Sequence, residues 1–245
     1  MIDIHSHILP ELDDGAANLD TGTEMCRLAA IDGCTAILAT PHQRTASWWN
    51  CEGAKLCSTL EALRSAVGTT PRLYLGGEVR VDPGLLSALA EPDLGGTLPL
   101  AGSIYLLLEF DRRGLGGLDA EGLTQELRLE GWRPIFAHPE FIPDLAQDLD
   151  LMRRLVEAGA LFQVTAMSLT GDFGRRSRVL AESMVEADLI HFAASDAHDL
   201  TRRPPGLSRA HRHLASKYGE ALARRLTSEN PQAVVENRPI HWHPD

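Results

Sequence analysis

Only four of the 245 residues are cysteine, at positions 26, 34, 51 and 57, and no C-x-x-C pair occurs among them. That number and spacing fit neither a disulfide framework nor a zinc knuckle, so reduced, structural thiols are expected. Positive charge is also in short supply: 23 Lys and Arg stand against 34 Asp and Glu, a net charge of −11. Phosphate backbones select a basic surface, so a nucleic-acid groove is excluded, and the surplus carboxylates are available to hold cations instead. No run of eighteen apolar residues is present, and Asp3 with two histidines stands where a signal peptide would carry its apolar core. A cytoplasmic protein without membrane insertion is expected. Serine- or glycine-rich linkers, repeats and low-complexity tracts are missing as well. With 44% apolar side chains, the chain reads as one domain over 1–245.

What the chain does have is a regular alternation. Short aliphatic or β-branched runs recur as "IDIH" at 2–5, "TAILAT" at 35–40, "RLYLGG" at 72–77, "SIYLLLEF" at 103–110, "RPIFAH" at 133–138, "ALFQVT" at 160–165 and "LIHFAAS" at 189–195. Between them lie stretches with helical spacing, such as Leu149, Met152, Leu155 and Val156, and more roughly Ala120, Leu123, Leu127 and Leu129. Near-continuous apolar strands separated by helices predict a parallel sheet buried on both faces. Seven such units predict an α/β fold built as a closed or nearly closed (β/α)7 barrel.

Polar residues follow those strands with equal regularity. In "MIDIHSH" the two-residue period of a strand puts His5 and His7, with Asp3 behind them, on one side, about 7 Å apart along the backbone. His42 follows the second run in "ATPH", Glu78 the third in "LGGEVR", and Glu109 ends the fourth. His138 ends the fifth in "FAHPE", Asp196 and His198 end the seventh in "SDAH", and Asp14 lies in the first loop, "ELDDG". Each alone fits an ordinary strand end, and Glu109 has Arg112 and Arg113 nearby as partners. Together they are five histidines and four carboxylates arriving at the C-terminal face of a parallel barrel, where such folds place their active sites.

Imidazole and carboxylate donors without thiolate suit Mn, Fe or Zn, and nine are too many for one tetrahedral ion. Two or three divalent ions bridged by carboxylates are the usual device for hydrolysing phosphate esters. Phosphoryl oxygens also call for guanidinium forks. Arg202 and Arg203 follow the "SDAH" segment, and Arg44 stands two residues after His42.

With these residues in view the chain resembles the polymerase and histidinol phosphatase (PHP) superfamily, and more narrowly the metal-dependent protein-tyrosine phosphatases of bacterial capsule and exopolysaccharide systems. The resemblance runs through "MIDIHSHILPELDDGA", "ATPH", "GGEVR", "LLLEF", "AHPE", "LFQVTAMSLTGDFG", "SDAHDLTRRPPGL" and "NPQAVVEN". It implies a distorted (β/α)7 barrel with a trinuclear, often manganese-dependent site. The implied ligands are His5, His7, Asp14, His42, Glu78, Glu109, His138, Asp196 and His198, and Arg203 matches a phosphate-contacting arginine. One position departs: where the family usually has an arginine after "HPE", this chain has Phe141, and Arg44 or Arg176 is a candidate substitute.

The expected activity is therefore that of a metal-dependent phosphomonoesterase, in particular a tyrosine phosphatase acting on the tail of a bacterial tyrosine kinase in polysaccharide export. Arg203, His42 and Asp196 are the catalytic candidates, and Arg203, Arg44 and Phe141 the substrate-binding ones. The absence of a C-x5-R loop excludes a cysteine nucleophile. Alternatives are a small-molecule phosphatase such as histidinol phosphatase, or a metal-containing phosphoprotein binder without turnover. His191, His211, His213, His241 and His243 are read as structural or solvated, the first inside a strand.

Overall fold

A computed structural model describes residues 1–240; His241 and His243 lie outside the described residues. Among the described residues nine strands form, all paired in parallel: β1 (Ile2–Ser6), β2 (Ala36–Ala39), β3 (His42–Gln43), β4 (Arg72–Leu75), β5 (Glu78–Arg80), β6 (Tyr105–Glu109), β7 (Arg133–Ala137), β8 (Leu161–Thr165) and β9 (Phe192–Ala194). They make a three-stranded sheet, β1-β2-β4, and a six-stranded sheet, β3-β5-β6-β7-β8-β9. Each of the seven expected runs contains a strand, and two further short strands, β3 and β5, follow the second and third runs after an interruption. The first interruption is at Thr40–Pro41, where proline offers no N–H to a ladder, and the second at Gly76–Gly77.

The breaks divide one expected surface into two sheets that, among the described residues, do not close on each other. They stay in touch through hydrogen bonds: Gly76 N–H donates to Ala39 O at 2.9 Å and Glu78 N–H to Pro41 O at 3.1 Å. On the other side a single parallel bridge, Ser6 with Ala197, links β1 to the segment after β9. Gly77 is required by close approach, since a Cβ there would lie 2.1 Å from Gln43 Oε1. The Gln43 amide fills that space to bind the backbone of Asn50, Gly96 and Leu98.

The helices follow their sequence signals. Asn18 caps the helix Leu19–Ile31 by accepting from Thr21 N–H, Asp148 caps Leu149–Ala158 by accepting from Leu151 N–H, and Gly159 ends the latter at φ +109°. Met152 and Leu155 of that helix are buried, as are Ala120, Leu123 and Leu127 of the helix Ala120–Leu129. Leu129, expected to share that stripe, is 86% exposed at the helix end. Two apolar clusters result. The larger joins these helices to one set of strand residues, among them Ile37, Leu106, Leu108, Phe136 and Phe162. The smaller gathers the alternate set, Ile4, Leu38, Tyr105, Leu107, Ile135 and Phe192, closed off by Leu100 and Val234. His191 lies one residue before β9 rather than within it, fully buried, its Nδ1 accepting from Phe162 N–H.

Candidate metal centre

The strand ends deliver their side chains to one place because the register aligns them. His42 of β3 pairs with Glu78 of β5, and Glu78 with Leu107 of β6, so Glu78 and Glu109 continue the face that Leu107 lines lower down. In β1 the register to β2 shifts between Asp3 and Ser6, an irregularity that interrupts the two-residue alternation. Asp3 consequently does not join the two histidines: its carboxylate accepts from the backbone N–H of Ser195 at 3.0 Å. His138 and Asp196 turn from their strands through left-handed backbone, φ +36° and +53°. For residues other than glycine that conformation costs on the order of 1–3 kcal/mol each, a strain typical of functional sites.

Three groups of ligand atoms result, each within 4.8 Å: His7, Asp14, His42 and His198; His5, His7 and Asp196; His42, Glu78 and Glu109. Two histidines, His7 and His42, are shared between groups. His138 lies outside all three, with Nε2 2.9 Å from Glu78 Oε1. Every expected ligand is thus at the site; eight fall in the groups and His138 stands beside them. All but Asp14 and His42 are buried, and the Asp14 side chain is 47% exposed at the rim.

Behind the histidines stand acceptors that fix which nitrogen faces the centre. His5 Nδ1 lies 2.8 Å from Gln163 Oε1, His7 Nδ1 2.7 Å from Asp13 Oδ2, and His198 Nδ1 2.9 Å from the Asp196 carbonyl. Each acceptor takes an Nδ1–H, leaving the Nε2 lone pair directed inward, as metal sites arrange it. Asp13 also accepts from the N–H of Gly15 and of His42. A Cβ on Gly15 would sit 2.1 Å from His7 O, so the turn requires glycine.

The residues present fit metal ions better than they fit one another. His42 Nδ1 is 2.8 Å from Glu78 Oε2, yet neither atom has a hydrogen-bond partner; His198 Nε2 is likewise buried without one, and Glu109 Oε2 has no hydrogen bond but an ion pair with Arg80 at 3.2 Å. Buried polar atoms are rarely left so, and a cluster of them converging on a few points suits a set of shared cations. The electrostatics agree. Burial works against charge throughout, but contact with the histidines holds Glu78 and Asp196 well below the usual carboxylate range, and the His198 and His42 rings, each 3.4 Å from Asp14 Oδ1, do the same for Asp14. Despite burial, Asp13 raises His7, and Glu78 and Asp14 push His42 up to about 10. Burial and the charge of Glu78 push Glu109 up. Without metal, protons on imidazoles balance the carboxylates; divalent ions would displace them.

Above the centre is a cavity of about 240 Å³ lined by histidines and carboxylates of the cluster together with Arg112 and Arg203. Arg203 Nη2 donates to Asp196 Oδ2, while its Nε has no partner. The His42 ring is stacked by Trp48, centroids 5.3 Å apart. Arg44 is not at the cavity: it binds Asp82 through two hydrogen bonds, 3.0 and 2.9 Å, because its φ of +61° and the neighbouring turn send it toward β5 and its following loop. Arg176 also lies outside the lining. Phe141 borders His138, centroids 6.0 Å apart, and carries the guanidinium of Arg112 over its face at 5.1 Å. Glu109 pairs with Arg80 at 3.2 Å rather than with Arg112 or Arg113.

The sequence reading missed Asp13, Gln163, Trp48 and Arg112. For Asp13 a signal existed: in "DDG" the aspartate two residues before the glycine is the one placed to form an Asx turn.

Comparison with known proteins gives a consistent result. Residues 1–236 match the family "Capsular polysaccharide synthesis, CpsB/CapC". The chain is 35% identical to the tyrosine-protein phosphatase YwqE of Bacillus subtilis, covering 100% of this chain and 95% of YwqE. It is 36% identical to a putative tyrosine-protein phosphatase, CapC, of Staphylococcus aureus over 83% of this chain and 79% of CapC. Among solved structures it superposes, with a TM-score of 0.91, 34% identity and coverage of 98% and 96% of the two chains, on one from work on YwqE and Streptococcus pneumoniae CpsB as unique metal-dependent tyrosine phosphatases.

Proposed function

Because the chain belongs to the CpsB/CapC family of capsular polysaccharide synthesis, we propose that it is a metal-dependent protein-tyrosine phosphatase whose substrate is the phosphorylated tail of a bacterial tyrosine kinase in that system. The observation that carries this reading is the convergence of three His/carboxylate groups beneath a cavity that also holds arginine. In this reading the chain is one PHP-type phosphoesterase domain over 1–245, its two sheets an opened form of the (β/α)7 barrel, acting in the cytoplasm.

His5, His7, Asp14, His42, Glu78, Glu109, His138, Asp196 and His198 would hold two or three divalent ions, manganese first among the candidates. When bound, such ions activate water and neutralise phosphoryl charge. The protein's part is to hold the donors ready. Asp13 and Gln163 keep the Nε2 atoms of His7 and His5 turned inward, so binding requires little reorganisation. Arg203 is anchored by Asp196 and retains its Nε and other N–H groups for a phosphoryl oxygen. The phenol released from phosphotyrosine has a pKa of about 10, so it departs with less proton assistance than an alkoxide. A cysteine route finds no support: Cys26 is buried, its thiol pushed up by burial to about 12, and none of the four cysteines lines the cavity.

The test is metal content and turnover of protein purified without a histidine tag. Chelation should abolish hydrolysis and Mn should restore it, with kcat/KM for a phosphotyrosine peptide exceeding that for histidinol phosphate. Full activity after confirmed metal removal would overturn the mechanism, and a preference for histidinol phosphate would overturn the substrate.

A further inference from the structure

The two arginines that line the cavity, Arg112 and Arg203, and those on neighbouring segments differ in one respect. Arg203 is tied to Asp196, Arg80 to Glu109, Arg44 to Asp82 and Arg113 to Asp111. Arg112 lines the same cavity and has no hydrogen bond or ion pair with any described residue. It is nevertheless fixed in place. Its loop is a turn in which Asp111 accepts from Arg113 N–H at 2.8 Å and Gly114 N–H donates to Asp111 O at 3.0 Å. Its guanidinium lies 5.1 Å over the Phe141 ring, within the range of a cation–π contact. Phe141 is itself held: its N–H donates to His138 O at 3.0 Å, and Phe173 meets its ring edge-on, centroids 5.6 Å apart.

An exposed guanidinium beside four cavity-lining carboxylates would ordinarily fold onto one of them. Here stacking keeps it off, with its planar array of N–H donors unspent. A ligand that needs those donors is a compact anion with several oxygens, and the cavity volume of about 240 Å³ suits a phosphoryl group.

We infer that Arg112, carried on the Phe141 ring, is the second guanidinium that binds the phosphoryl oxygens of the substrate, opposite Arg203, with Phe141 as its positioning residue. This rests on the phosphatase reading of the site, and the test keeps the two apart by measuring binding without turnover. The probe is inorganic phosphate, titrated calorimetrically into metal-loaded protein. Arg112→Ala should weaken phosphate binding about tenfold and raise KM for a generic aryl phosphate and a phosphotyrosine peptide alike, with metal content and melting temperature unchanged. Arg112→Lys should recover only part, because ammonium lacks the planar fork. Phe141→Leu should shift phosphate binding in the same direction by less, and add nothing to Arg112→Ala. Unchanged phosphate binding in Arg112→Ala would overturn the inference. So would a defect confined to the peptide, which would assign Arg112 to a peptide carboxylate. Loss of phosphate binding in Arg112→Ala, from a wild type that hydrolyses no phosphomonoester, would sink the phosphatase reading and leave the anion site standing.

Discussion

Two regions of this molecule concentrate histidine and carboxylate, and they behave oppositely. On the outer face, where the helix Arg175–Glu186 meets Ser208–Tyr218, the Glu182 carboxylate accepts from His213 at 2.8 Å and Arg178 at 3.0 Å and pairs with Lys217 at 2.9 Å; Lys217 reaches Glu186 at 2.9 Å. Each charge there meets an opposite one and water reaches most of them. At the strand ends, histidines face histidines, His5 Nε2 lies 3.3 Å from His7 Nε2, and the buried His42 Nδ1, Glu78 Oε2 and His198 Nε2 have no hydrogen-bond partner. Composition does not separate the two regions. What does is whether the groups satisfy one another: a self-satisfied network is a surface feature, and a buried unsatisfied one awaits a ligand.

The sharpest way to break this comparison is to remove one histidine from each region. His7 takes part in two of the three ligand groups, so His7→Ala should lower bound metal and reduce kcat/KM for an aryl phosphate by at least about a thousandfold, on the order of 4 kcal/mol of transition-state stabilisation. His213→Ala should leave both unchanged. Similar losses from the two variants, measured by elemental analysis and steady-state kinetics, would show that satisfaction within the protein does not mark the site.

A smaller effect is expected one layer out. Asp13 belongs to none of the three ligand groups and acts on them through His7, whose Nδ1–H it holds at 2.7 Å. Asp13→Asn keeps the shape but allows the amide to present N–H where an acceptor is needed. Metal affinity should fall about 10- to 100-fold, the usual range for losing such a support. Excess Mn should then rescue kcat. A variant that binds metal as the wild type does would reduce Asp13 to a turn residue for Gly15.

The contrast also explains what could be read from sequence. The convergence at the strand ends was legible because a parallel sheet brings the residue after each strand to one face, so the meeting of Glu78, Glu109, His138 and Asp196 is expected from position alone. The seven strands were legible for the same reason, since each is a continuous apolar run. Their division into two sheets was not, because it depends on how Pro41 and the Gly76–Gly77 pair interrupt the ladders. Asp13 escaped notice beside Asp14, as only the turn geometry decides which of two adjacent acids is buried. The candidates for the cation near Phe141 were Arg44, which is drawn off by Asp82, and Arg176, which lies outside the cavity lining, whereas Arg112 reaches the ring from a loop 29 residues earlier in the chain. Long side chains on loops are placed by partners, and partners distant in sequence leave no local pattern.

The least effect belongs to the outer network, and its sign can be worked out. Burial disfavours the Glu182 carboxylate, but hydrogen bonds from Lys217, Arg178 and His213 outweigh it and hold the group down to about 2 against an ordinary 4.5. A carboxyl depressed on folding contributes stability that is complete above its unfolded pKa and disappears as pH falls through the folded one. The wild type should therefore exceed Glu182→Gln in stability at pH 7, and the gap should begin to close below about pH 4.5. Solvent screening limits the gap to about 1 kcal/mol, or roughly 2–4 °C in Tm for a chain of this size. Hydrolysis of an aryl phosphate should be unchanged, since Glu182 does not line the cavity. Urea denaturation at intervals from pH 7 to the acid limit of the folded state measures the gap directly. A difference that stays constant through pH 3 would mean that the substitution costs packing or hydrogen-bond geometry rather than charge, and the outer network would then owe its stability to something other than ion pairing.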